Sequence, residues 1–226
     1  MKVLFPIKKG VISQNFGENA EFYKERFGVS FHNGTDIVSY HGDTILCPED
    51  GKIVRTFDIY TGSVTAGFGL YLLGEPDANG EANLHILWHT MSNLQCGVGY
   101  KVKQGDVLAY EGASGQVYVN MQPVPDDKKG VSPFPGTHLH WGKQRVIMTA
   151  PEFYTILNPD NGVRGCIDPM KSDIIYYGEW LLNKVAQETP PPPILPLEPE
   201  KEEVVSWLTA VTQWITNLID KLKGRL

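Results

Sequence analysis

Short apolar runs separated by turn residues limit the fold that this chain can adopt. Between residue 11 and about residue 110, such runs are broken by Gly, Pro, Asn and Asp, and no amphipathic helical period interrupts them. The candidate strands are 44–47, 52–57, 70–73, 84–89 and 107–110. This spacing is typical of many short strands joined by tight turns. We therefore predict a mainly β fold built from antiparallel strands.

A histidine pair stands in the segment 136–146, which reads GTHLHWGKQRV and is typical of an extended strand. Alternate side chains of a strand point to the same face. His138 and His140 are therefore predicted to project together, with Leu139 and Trp141 on the other face. Two imidazoles in one small volume can bind a metal, relay protons or hydrogen-bond to each other. The pair alone leaves all three possibilities open.

A second cluster of chemically active residues lies in the segment HNGTD, which begins at His32. Gly34 lets the backbone bend, so the His32 imidazole and the Asp36 carboxylate can converge. Catalytic zinc commonly takes three protein ligands of N and O type and keeps a fourth position for water. His32, Asp36 and one histidine of the 138/140 pair would supply that set. The other histidine would then be free to act on water or on the substrate.

Three motifs occur in a recognisable order along the chain. They are HxGxD from His32 to Asp36, the strand-closing His89 in the sequence LWHT, and GTHLHWG from Gly136. In this order they resemble the M23 family of zinc endopeptidases, the lysostaphin-like peptidoglycan hydrolases. Segments 11–17, 47–54 and 102–109 are also similar to that family. The resemblance covers roughly residues 10–150.

The resemblance implies a fold, an activity and a set of site residues. The implied fold is a barrel-like β-sandwich with its active site in an open groove. The implied activity is zinc-dependent hydrolysis of peptide bonds in bacterial peptidoglycan cross-links or bridges. One zinc ion per chain would be held by His32, Asp36 and His140, with His89 and His138 as the unligated catalytic pair. The bond cleaved and the division of labour between the catalytic histidines stay open.

Tyr23 and the segment 115–136 are further candidates near the site. Members of the resembled family often place a tyrosine near the metal as a donor to the developing oxyanion, and Tyr23 is in a position to take that part. The alternative is an aromatic residue that packs the loop. The segment 115–136 is long, polar and proline-containing, and long loops in compact domains are usually functional or disordered. We expect it to border the substrate groove and to influence peptide specificity.

Two other histidines are expected to lie outside the chemistry. His85 is spaced to share a strand face with His89, with Leu87 between them. The resemblance selects His89, and His85 is predicted to be a hydrogen-bonded or surface histidine. His41, in the turn sequence YHGD, is predicted to be a turn residue rather than a metal ligand.

Composition excludes some functions and bears on location. The net charge is -6 and no Lys/Arg run is present, which argues against nucleic acid as a partner. Cys47, Cys96 and Cys166 lack metal-type spacing and are interpreted as structural thiols, with one disulfide left open. Neither a secretory signal nor a twenty-residue apolar segment is apparent. We therefore expect a protein made in the cytoplasm that reaches the cell wall by another agent, such as a phage lysin or a lysin carried in a virion. A protein whose signal has been removed fits equally well.

The last fifty residues predict an appendage in three pieces. We predict an M23-like domain at 1–175, a helical extension at 176–188, a stiff Pro-rich linker at 189–199 and an amphipathic helix at 200–226. The apolar stripe of the last helix consists of Val204, Trp207, Leu208, Val211, Trp214, Ile215, Leu218 and Leu222. Its spacing indicates self-association or docking on a partner. Membrane-surface contact and folding back on the domain stay open.

Other functions would require motifs or residues that this sequence lacks. A cupin-like metal site also uses HxH but expects a glutamate a few residues later, where this chain has Gln144. A nucleophilic hydrolase lacks its GxSxG elbow around Ser114, and no HExxH motif is present. A catalytically inactive M23-like structural or binding module, for example of a phage virion, would have lost a site residue. None is lost here, so the sequence favours an enzyme.

Overall fold

The computed structural model describes residues 2–58, 63–150, 153–188 and 201–223. The chain divides into two compact units, Met1–Ile174 and Ile175–Leu226. The predicted linker at 189–199 lies outside the described residues, so the predicted domain boundaries stay a prediction. No helix in the described ranges is long and apolar enough to cross a membrane.

Strands dominate the first unit and α-helices the second. The strands are β1 (Val3–Leu4), β2 (Val11–Gln14), β3 (Thr35–Val38), β4 (Thr44–Leu46), β5 (Gly51–Phe57), β6 (Phe68–Gly74), β7 (Glu81–Thr90), β8 (Lys101–Val102), β9 (Val107–Tyr110), β10 (Tyr118–Val119), β11 (Gln122–Pro123), β12 (Leu139–Ala150), β13 (Phe153–Ile156), β14 (Cys166–Ile167) and β15 (Ile174–Ile175). The α-helices are α1 (Ala20–Phe27), α2 (Tyr177–Glu188) and α3 (Lys201–Lys223). Short 3-10 helices span Asp126–Lys128 and Pro169–Lys171. All five predicted strands are present, as β4, β5, β6, β7 and β9.

One nine-stranded antiparallel sheet organises the first unit. Its strand order is β2-β3-β12-β7-β6-β5-β8, and β13 and β14 also pair with β12. The predicted mainly β, antiparallel fold with a C-terminal helix is confirmed. Among the described strands the sheet runs open from β2 to β8, so it does not close into a barrel.

Turn chemistry sets the hairpin that leads into β7. Oδ1 of Asp77 accepts hydrogen bonds from the backbone N–H groups of Asn79 and Glu81, at 2.9 and 3.1 Å. Gly80 follows with φ 77°, a left-handed conformation that glycine adopts without steric cost. This local arrangement reverses the chain and starts β7, the strand that ends at the candidate site.

The central strand β12 begins with one face buried. Leu139 and Trp141 have no exposed surface and pack with Ile37 and Leu87 in the main apolar cluster. The Phe5 ring meets the Trp141 ring edge-on at 6.1 Å. Burying one such side chain contributes on the order of 2–3 kcal/mol. Because this face is apolar, the alternate residues of β12 must point to the opposite face, where the candidate site lies.

The three cysteines, Cys47, Cys96 and Cys166, are free thiols.

The apolar stripe of the last helix is described in part. In α3 it is described at Val211, Trp214 and Ile215, and Ile215 is 45% exposed. The side chains at 204, 207, 208, 218 and 222 lie outside the described residues, and the role of the stripe stays a prediction.

Candidate active site

Strand register places the Asp36 carboxylate beside the His140 imidazole. In the β3–β12 pair His140 lies directly opposite Asp36, and in the β12–β7 pair it lies opposite Trp88. Directly opposed residues share a face of the sheet. The Trp88 and His140 rings accordingly stack at 5.1 Å and 19°. Three neighbouring strands thus bring these side chains into one row.

His32 reaches the same point from the turn before β3, and Gly34 makes this possible. A Cβ atom at position 34 would lie 2.6 Å from both Cε1 and Nε2 of His140 and 2.9 Å from the Trp141 carbonyl oxygen. No side chain fits there without moving the strand or the imidazole. The glycine of HxGxD therefore serves close approach, in addition to the bend predicted from the sequence.

Three ligand atoms converge at the base of the site. The Nε2 atom of His32 lies 3.1 Å from Nδ1 of His140 and 3.1 Å from Oδ1 of Asp36, and the last two atoms are 3.0 Å apart. All three residues are buried. Tetrahedral zinc with bonds of 2.0–2.2 Å has ligand–ligand edges of about 3.3 Å. The triangle formed by these donors therefore matches the size of a zinc site.

The hydrogen bonds around the donors direct lone pairs toward their common centre. Nδ1 of His32 is 3.1 Å from the carbonyl oxygen of Asn15, which can only accept, so this nitrogen carries the proton and Nε2 carries the lone pair. Nε2 of His140 is buried, and no described group hydrogen-bonds to it. The lone pair on Nε2 of His32 therefore faces the Asp36 carboxylate across 3.1 Å, and a cation between these two atoms would relieve their repulsion. The donor set fits a metal ion, and backbone contacts of this kind orient metal-binding histidines.

A second pair of histidines stands beside the three donors. His89 and His138 have ring centroids 4.6 Å apart, and Nε2 of His138 is 3.8 Å from Oδ2 of Asp36. Nδ1 of His138 donates to the Gly136 carbonyl at 2.8 Å, and Nδ1 of His89 donates to the Ser114 carbonyl at 2.8 Å. Both histidines therefore keep an unprotonated Nε2, as a general base requires.

The position of His89 corrects one expectation from strand alternation. His85 and His89 were predicted to share a face, yet His85 contacts the buried Trp141 whereas His89 meets His138. The reason is a β-bulge: Trp88 pairs with Gly69 and Thr90 pairs with Phe68, so His89 has no partner on β6. Its φ is 65°, in the left-handed region. The extra residue turns the imidazole from the apolar face into the groove, and strain of this kind is typical of functional sites.

Burial and neighbouring charges shift the pKa values of His89, His140 and Asp36. Burial lowers the pKa of His89 well below its usual value, and the charges of His138 and His140 lower it further. Burial likewise lowers the pKa of His140. Burial acts to raise the pKa of Asp36, but the neighbouring imidazoles of His138, His32 and His140 outweigh it and hold this pKa well below its usual value. Neutral imidazoles beside an ionised carboxylate are the forms that bind metals.

The site opens into a groove of about 1180 Å³. Residues 116–121, 133–134 and 136–138 line it, so the expectation that the segment 115–136 borders the groove is confirmed. The effect of this segment on specificity stays a prediction.

Tyr23 also lines the groove, with its ring 5.0 Å from that of His32 and its hydroxyl 3.4 Å from Oε1 of Gln14. Burial raises the pKa of Tyr23, so the hydroxyl stays protonated and available as a donor. Its catalytic part stays a prediction.

The remaining histidines lie apart from the donors, as predicted. His85 is fully buried: it accepts a hydrogen bond from Nε1 of Trp141 at 3.1 Å and donates from Nε2 to Oε1 of Glu49 at 2.8 Å. His41 stacks on Phe134 at 4.6 Å, and its Nδ1 is 3.2 Å from the Thr137 hydroxyl. Neither belongs to the metal-type group, which in the described residues consists of His32, Asp36 and His140.

Some groove residues were not predicted from the sequence. Trp88 stacks on His140, and Arg55 and Arg164 line the groove. No local motif indicated them, because their proximity depends on strand register and on a loop from a distant part of the chain. The cross-strand pairing of β7 with β12 is the signal that would have identified Trp88.

Comparison with known proteins finds likeness among solved structures. No family model and no curated protein matches the chain. The catalytic domain of the antimicrobial peptidase lysostaphin from Staphylococcus simulans is 18% identical, with a TM-score of 0.45, over 71% of this chain and 90% of that one. A zinc-containing peptidase from Vibrio cholerae is 19% identical, with a TM-score of 0.47, over 76% of this chain and 40% of that one. A variant of the catalytic domain of the prophage-encoded M23 protein EnpA from Enterococcus faecalis is 20% identical, with a TM-score of 0.39, over 67% and 90%.

These likenesses are likenesses of fold. The chain matches less than half of the Vibrio cholerae protein but most of the two catalytic domains.

Proposed function

We propose that this chain is a zinc-dependent endopeptidase that hydrolyses peptide bonds in bacterial peptidoglycan cross-links or bridges. The observation that carries the proposal is the convergence of three buried donors, from His32, Asp36 and His140, beside two histidines with free Nε2 atoms. These groups lie in an open groove rather than a closed pocket. A substrate peptide can lie along an open groove and be cleaved at an internal bond. The motif resemblance supports peptidoglycan as the substrate.

His32, Asp36 and His140 would hold one zinc ion per chain. When bound, zinc supplies Lewis acidity that polarises the scissile carbonyl and makes the attacking water more acidic. The backbone carbonyl of Asn15 keeps the His32 imidazole in the tautomer that ligation needs. The stacked Trp88 ring holds the plane of the His140 imidazole.

His138 and His89 would move the protons. Either free Nε2 can accept the proton of the attacking water, because each ring carries its own proton on Nδ1 and donates it in a hydrogen bond to a backbone carbonyl. The imidazole that accepts the proton becomes an N–H donor. It can then hydrogen-bond to the charge developing on the carbonyl oxygen or protonate the leaving amine. Which histidine is the base stays open, and so does the route to the cell wall, for which release as a phage lysin is one prediction.

Analysis of released fragments tests the proposal. Purified peptidoglycan is incubated with zinc-loaded protein, with and without chelator, and the soluble products are analysed by mass spectrometry. New peptide amino termini that disappear with chelator are the expected result. The variant His138→Ala serves as a matched control, which should bind zinc and release fragments at least about a hundred-fold more slowly. If the wild type binds one zinc per chain and also releases nothing, the inactive structural or binding module replaces the enzyme.

A further inference from the structure

Arginines are concentrated in the groove although the protein as a whole is acidic. Of the five arginines in the chain, Arg26, Arg55 and Arg164 line the groove, and no lysine does so in the described part of the chain. The net charge is -6, so this concentration does not follow from composition. A guanidinium presents a planar fork of donors that matches a carboxylate, whereas an ammonium group does not.

Arg55 is held over aromatic rings at one end of the groove. Its guanidinium carbon lies 4.5 Å from the ring centre of Phe57 and 5.7 Å from that of Tyr71. The residue is exposed, so the guanidinium contacts these rings and stays accessible from solvent. A guanidinium that is oriented in this way loses less freedom when it binds a ligand.

Arg164 also lines the groove. Its backbone is anchored, because Nε2 of Gln144 donates to its carbonyl at 2.7 Å and its φ of 57° marks a tight turn. Val163 and Cys166, which flank it in the chain, belong to the apolar cluster against which Tyr71 packs. Tyr71 therefore contacts Arg55 and also packs against the chain segment that carries Arg164. No carboxylate of the described residues forms an ion pair with either guanidinium, in contrast to Arg145, which is paired with Asp77 and Glu81.

A continuous row of rings joins this end to the donor cluster. The His140 and Trp88 rings are 5.1 Å apart, the Trp88 and Tyr71 rings are 6.4 Å apart, and the Arg55 guanidinium follows at 5.7 Å. Together these steps span no more than about five residues of extended peptide, at 3.3–3.6 Å each. One peptide can therefore reach both the donor cluster and the arginines.

We propose that Arg55 and Arg164 form a carboxylate subsite, so that the substrate is an acidic peptide with a free carboxylate within about five residues of the scissile bond. This inference rests on the proposed function and specifies its substrate. The carboxylate is either that of a chain end or that of a side chain, and both have the chemistry that the guanidinium fork recognises.

Substrate amidation combined with arginine replacement tests the subsite. A soluble cross-linked peptide from peptidoglycan is prepared with all carboxylates free, with chain-end carboxylates amidated, or with side-chain carboxylates amidated. Arg55→Gln should raise KM for the free form about ten-fold and leave kcat within about two-fold, because a charged hydrogen bond in an exposed setting is lost. It should have little effect on the amidated form that already lacks the recognised carboxylate. Arg164→Gln should act in the same direction, and Arg55→Lys should be intermediate.

A control variant and a binding measurement distinguish failure of the carboxylate subsite from failure of the proposed endopeptidase function. Lys101 is an exposed residue of β8 and does not line the groove. Lys101→Gln therefore removes one positive charge outside the groove and should leave KM unchanged. Equilibrium binding of the three peptide forms is also measured by anisotropy in the His138→Ala background. If the wild type cleaves nothing, the proposed function fails and the binding series still decides the subsite. Equal binding of free and amidated forms, or a preference that survives both arginine replacements, overturns the subsite.

Discussion

The buried carboxyl group of Glu111 makes a quantitative prediction about stability. Glu111 follows β9, has no exposed surface and accepts hydrogen bonds from the Ser39 backbone N–H, at 3.0 Å, and from the Ser39 hydroxyl. Burial raises its pKa from 4.5 to about 7, although the hydrogen bonds from Ser39 lower it, and the charge of Asp43 adds to the rise. The next residue, Gly112, accepts a hydrogen bond from the His138 backbone at 3.1 Å. Glu111 is therefore next in the chain to the residue that holds the His138 backbone.

The sign and the size of the effect follow from proton linkage. The folded chain binds this proton more tightly than the unfolded chain, so the free energy of unfolding falls as pH rises from about 4.5 to about 7. At about 1.36 kcal/mol per pKa unit, ionising Glu111 costs on the order of 3 kcal/mol by pH 8. Glu111→Gln removes this titration. Relative to wild type, the variant should gain about that amount between pH 4.5 and pH 8.

Urea unfolding of wild type and variant at several pH values measures the difference. Chelator is present throughout, so that metal binding does not enter the comparison. Glu49→Gln is a matched control of opposite sign: burial acts to raise the pKa of Glu49, but the hydrogen bond and charge of His85 outweigh it and lower the pKa. That variant should lose more stability at pH 8 than at a pH well below 4.5, because ionised Glu49 stabilises the folded chain above the unfolded pKa of 4.5. If Glu111→Gln and wild type keep a constant difference between pH 4.5 and pH 8, the proposed proton linkage is refuted.

Other predictions concern the site and the tail. His140→Ala should lose both zinc binding and activity, whereas His138→Ala should keep zinc and lower kcat about 10²–10⁴-fold; equal zinc loss by metal analysis would refute the ligand assignment. Gly34→Ala places a Cβ atom 2.6 Å from the His140 imidazole and should weaken zinc binding about 10–100-fold, whereas Gly178→Ala, with nothing within 4 Å, should bind zinc normally in a competition titration. Removing residues 190–226 should leave hydrolysis of soluble peptides intact but change the mass in solution or the binding to lipid vesicles. If neither changes, self-association and membrane contact through the apolar stripe are both wrong.

Local sequence patterns determined the chemistry available to this protein. Period-two alternation placed His138 and His140 on one side of their segment, and the glycine of HxGxD indicated a bend between His32 and Asp36. The same alternation, together with turn residues, predicted the antiparallel strands. These inferences succeeded because each depends on backbone geometry over a few residues, which neighbouring side chains decide.

Tertiary structure decided which of these groups meet. The register of β12 against β3 aligns His140 with Asp36, 104 residues away in the chain, and no local pattern specifies that alignment. The bulge at His89 reverses the face that alternation predicts. Arg55 and Arg164 reach the groove from separate segments. Long-range strand pairing fixes such positions because a slip of one residue moves every side chain to the other face, and only the packed apolar face of the sheet selects the register.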